Sequence, residues 1–155
     1  MKVLSLVFVT AVAAAAGSVV AGETDFHNCT VCKPMMAEPG LMENVRWESH
    51  EIATGMLSVT TVSPGYEQAF ERAHGKMMEA VARLEAGEKG ELCPFCKSID
   101  ELSKAGAHIE NLDAEKAHIM AITSDKADVI EKIHAHVRWA KEEFKKHQGS
   151  PEHKG

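Results

Sequence analysis

Beyond residue 22 the chain has no apolar run long enough to cross a bilayer. It also lacks a basic excess: 17 Lys and Arg face 23 Asp and Glu, giving a formal charge of −6. With the cations scattered along the chain, this balance argues against nucleic acid as a partner and mildly favours cations. No nucleophile elbow, phosphate-cradling glycine loop or metalloprotease helix occurs, so no enzyme signature stands beyond the thiols. Cysteine is scarce, with four residues in 155. None lies at the start of the polar region after residue 22, so no lipoprotein signal is read.

Residues 1–22 read as a secretory signal peptide. Lys2 supplies the positive start, Val3 to Ala16 the apolar stretch, and Val19, Val20 and Ala21 the small residues expected near a cleavage site. Loss of Lys2 takes the charge to −7 and leaves 133 residues from Glu23, which suggests one domain. The expected location is the periplasm or the secreted fraction, with no membrane association after signal removal. A domain of this length buries enough apolar surface to fold without disulfides. In an oxidising compartment, however, thiols form disulfides unless a metal ion or a reductase holds them.

The four cysteines form two CxxC pairs, Cys29–Cys32 and Cys93–Cys96, offset by 64 residues. Each pair is followed by lysine (Lys33, Lys97), and Met56 and Met120 each lie 24 residues beyond the second cysteine of their pair. Further on, a four-residue deletion brings the offset to 60, so that Phe70–His74 faces Ile130–His134. The spacing predicts an internal duplication with halves at about 27–88 and 91–148, joined by Glu88–Glu91. Residues 149–155 read as a disordered tail.

Each half reads as CxxC, short helix, hairpin, long helix. Val45–Ile52 and Leu57–Val62 are rich in β-branched and aromatic residues, with Ala53–Gly55 between them as a turn. The second hairpin is expected at Ala107–Leu112 and His118–Thr123, turning through Asp113–Lys116. Pro39 and Gly40 stop the first short helix, and Ser98 with Glu101 reads as a capping box that opens the second. Apolar stripes at helical spacing mark both long helices: Phe70, Ala73, Met77, Ala80, Val81 and Leu84, then Ile130, Ile133, Val137, Ala140 and Phe144. The expected fold is α+β, one four-stranded antiparallel sheet with the helices on one face.

Two CxxC pairs supply the four ligands of a tetrahedral structural zinc site, and a pseudo-twofold axis would bring them together. In a second arrangement each pair recruits its own histidine, His74 or His134, and soft ligands such as Met35 or Met36 suit copper. His74 and His134 are also what boundary histidines look like, half-buried beside the helix stripes. Two disulfides are a further reading, as is a thiol–disulfide oxidoreductase built on Cys93-Pro-Phe-Cys96. The strand that precedes such a redox motif is missing here.

Cys93-Pro-Phe-Cys96, followed by Gly106–Glu110 and His118–Thr123, resembles a heavy-metal-associated domain. The resemblance covers residues 93–137 better than 29–78, and it lacks that family's first strand and the methionine before its cysteines. It implies a ferredoxin-like fold in which Cys93 and Cys96, and by duplication Cys29 and Cys32, bind Cu(I) or another soft ion. The sequence therefore predicts an exported domain that holds a zinc or copper ion through Cys29, Cys32, Cys93 and Cys96, with His74 and His134 as further candidate ligands.

Overall fold

The computed structural model describes residues 25–114 and 117–147. The expected signal peptide and tail lie outside the described residues. Chain order is α1 (Lys33–Ala37), β1 (Val45–Ile52), β2 (Gly55–Val62), α2 (Glu67–Glu85), α3 (Pro94–Lys104), β3 (His108–Ala114), β4 (Ala117–Thr123) and α4 (Ala127–His147). A 3-10 turn, Met42–Asn44, leads into β1. The architecture is α+β, with a four-stranded antiparallel sheet ordered β1-β2-β4-β3.

Local chemistry explains the boundaries. Helix α1 ends at Ala37 because Pro39 disfavours a helical Glu38, whose backbone is extended at φ −85°, ψ 117°. Helix α3 begins at Pro94, four residues ahead of the capping box read from Ser98 and Glu101. Proline is favoured at this first position because its missing N–H would be unpaired there anyway. The Ser98 hydroxyl instead pairs with His136 Nδ1 at 2.8 Å. The second hairpin is longer than expected. Its ladder continues through Asp113↔His118 to Ala114↔Ala117, across residues read as turn.

The seam between β2 and β4 has a telling register. Leu57 faces Ala121, Met56 faces Ile122 and Ser58 faces Met120. For the five pairs from Gly55↔Thr123 to Val59↔Ile119, adding 64 to the β2 residue and subtracting 64 from its β4 partner returns a pair of the same seam. The pairs therefore map onto one another about Leu57↔Ala121.

Alternation along the strands puts Val45, Trp47, Met56, Val62, Ile109, Met120 and Ile122 on one sheet face. All seven pack into the cores. Met56 and Ile122 bury with Leu102, Val129, Ile133 and Val137 of α3 and α4. Val45 buries with Met35, Leu41, Phe70 and Ala73 around α1 and α2. Each such side chain contributes about 1.5–3 kcal/mol when fully buried. Helix α4 is rotated from the stripe read in sequence: Val129, His136 and Glu143 join Ile133, Val137 and Ala140 on its buried side.

Candidate metal centre

The two CxxC turns share a backbone bond but differ in where the helix begins. The Lys33 amide donates to the Cys29 carbonyl, and the Lys97 amide donates to the Cys93 carbonyl, each at 2.9 Å. Cys32 is the residue before α1 and Cys93 the residue before α3, so each turn sits at a helix start. A backbone bond from Thr30 N–H to the Glu91 carbonyl, 2.8 Å, ties the first turn to the segment leading into the second. The approach is close: a Cβ on Gly90 would lie 2.7 Å from Thr30 Oγ1.

The fold brings all four sulfurs within 4.8 Å of one another. Cys32 Sγ is 3.4 Å from Cys96 Sγ and 3.8 Å from Cys93 Sγ. All four are free thiols. Cys29 and Cys93, the first of each pair, are buried, whereas Cys32 and Cys96 are half-buried. An apolar collar surrounds them: Phe26, Val31, Met77, Val81, Leu84 and Phe95.

Crowding four thiols into an apolar pocket couples their protons. Hydrogen bonds from Cys32, then Cys93 and Cys96, hold the Cys29 thiol far below its usual range. The contact with Cys29 pushes Cys32 up, and Cys29 likewise heads the causes that raise Cys96. For Cys93 the Cys29 contact acts upward, but hydrogen bonds with Cys32 and Cys96 outweigh it and bring the thiol down to about 7. Two thiols of the cluster are thus lowered and two raised, so it holds its protons unequally; cation binding requires thiolates and releases the protons that remain.

His74 and His134 are not members of this cluster. Helix α4 carries His134 to the end of β1, where its Nε2 pairs with the Ile52 carbonyl at 3.0 Å and its Nδ1 lies 3.9 Å from Glu51. Helix α2 lays His74 against Phe70 and His118. Met35 is a core residue packed with Leu41 and Phe70. The collar is not legible in the sequence because its members come from separate segments, although Phe95 stands inside its CxxC motif. His136, which has no counterpart in the first half, is buried at 4% exposure against Phe95 and Trp139. Its Nε2 has no hydrogen-bond partner among the described residues.

Comparison of the chain with models of known protein families, with curated proteins and with solved structures finds no match.

Proposed function

We propose that this protein is an exported domain that binds one soft or borderline metal ion, zinc or copper, with Cys29, Cys32, Cys93 and Cys96 as its ligands. The observation that carries the reading is the convergence within 4.8 Å of four sulfurs from two segments 61 residues apart. A tetrahedral ion with metal–sulfur bonds of about 2.3 Å sets its sulfurs roughly 3.8 Å apart. The two separations of 3.4 and 3.8 Å fit that figure. Export is supported by the apolar stretch Val3–Ala16, and duplication by the matched CxxC turns and the self-mapping seam. The resemblance of residues 93–137 to heavy-metal-associated domains points the same way.

A second reading, thiol–disulfide exchange, draws on one observation: Cys93 stands at the start of α3 with its thiol lowered to about 7. The two chemistries separate cleanly. In protein purified from the exported fraction, the metal reading expects one ion per chain and four thiols that resist alkylation until a chelator is added. Cys32→Ser and Cys96→Ser are each expected to weaken zinc binding at least tenfold. Rapid alkylation of Cys93 alone in metal-replete protein would replace this reading with the redox one.

A further inference from the structure

We infer that His74 and His118 form a second metal-binding site, independent of the cysteines, that takes a borderline divalent cation of the zinc, cobalt or nickel type. His74 lies on α2 and His118 on β4, so the fold, not local spacing, brings them together. Their ring centroids are 5.3 Å apart, with the planes 46° from parallel. Two imidazoles that share one ion at metal–nitrogen distances of about 2.0–2.1 Å hold their centroids roughly 5–6 Å apart. Imidazole suits these cations, which lack the strict thiolate preference of Cu(I).

The pair is held in place. Phe70, 4% exposed, lies parallel to His74 at 5.6 Å and contacts the His118 ring at 4.7 Å. This buried wall restricts both rings, which lowers the ordering cost of binding. Both histidines are half-buried, so solvent can complete the coordination sphere. His134 lies toward the other end of the strands, on the Ile52 carbonyl, and His50 and His108 are exposed on strands of the sheet. The site is also distinct from the thiols. His74 and His118 pack on Phe70, in the core around α1 and α2, whereas the thiols lie in a separate cluster; Met77, three residues beyond His74, borders both.

The test uses full-length protein whose thiol site is first saturated with zinc, then titrated with cobalt(II) or nickel(II). One further ion is expected to bind, and cobalt should give no added thiolate charge-transfer band. Nickel should broaden the His74 and His118 ring signals in NMR before those of other histidines. His74→Ala and His118→Ala should each weaken this second ion at least tenfold, while His134→Ala leaves it unchanged. The NMR readout on the unmodified chain needs no variant to fold. The same second ion should bind when Cys32→Ser and Cys96→Ser disable the thiol site, so failure of one site does not imply failure of the other. Equal broadening of all histidines, or undiminished binding in both alanine variants, overturns the inference.

Discussion

His136 shows how much a single buried side chain can govern. Burial pushes its imidazole down from 6.5 to about 4. The folded state therefore holds it neutral over a range in which the unfolded chain takes up a proton. Stability from this group is complete above about 6.5 and is lost as pH falls toward 4; the full effect is about 3 kcal/mol. The expected outcome is a steep fall in unfolding free energy between pH 6.5 and 4 in urea titrations. His136→Leu should flatten it, and the difference between the two proteins cancels any acid-driven metal loss they share. Equal slopes would refute the assignment. Nothing in the chain's spacing announced this residue. It has no equivalent in the first half and falls just outside the apolar stripe of α4, so only packing against Phe95 and Trp139 reveals it.

At the scale of elements, the tight turn between β1 and β2 is the most constrained joint. Gly55 pairs with Ile52 in one ladder and with Thr123 in the other, at φ +149°. A Cβ there would lie 2.0 Å from the Ile122 carbonyl oxygen, which is backbone and cannot rotate away. Gly55→Ala is expected to cost about 3 kcal/mol or more, read as a lower urea midpoint; a loss below about 1 kcal/mol would contradict the geometry. Strand β1 was legible to the residue, because Val45–Ile52 is bounded by turn chemistry and dense in strand formers. The second hairpin was read short, since Asp113 to Lys116 has turn composition while cross-strand pairing extends the ladder to Ala114↔Ala117. Helix α3 starts four residues before Ser98, because that hydroxyl pairs with His136 rather than capping the helix. The thiol cluster was legible for a different reason: its spacing is repeated, and a repeat carries long-range information that a single motif does not. The pairing of His74 with His118 has no such echo and depends on how α2 lies across β4.

For the whole molecule, the four clustered cysteines divide evenly: two come from residues before the linker and two from residues after it. The β2–β4 seam divides the same way, as does the core in which Met56 meets α3 and α4. A protease site inserted after Glu88 and then cleaved is expected to leave both fragments together on a sizing column while metal is bound. Chelation should lower the temperature at which they separate, since an ion that binds only the assembled form stabilises it by mass action. Fragments that part in the metal-replete state would contradict this. The self-mapping register about Leu57↔Ala121 then has a consequence for what the linker does. On the duplication proposed above, the chain would behave as a two-subunit complex whose subunits share a backbone. Glu88–Glu91 would then be a tether that sets the concentration each fragment experiences, of millimolar order for a short link. Uncut, the assembly is indifferent to dilution; once cut, it should become a concentration-dependent dimer with one ion as its common ligand.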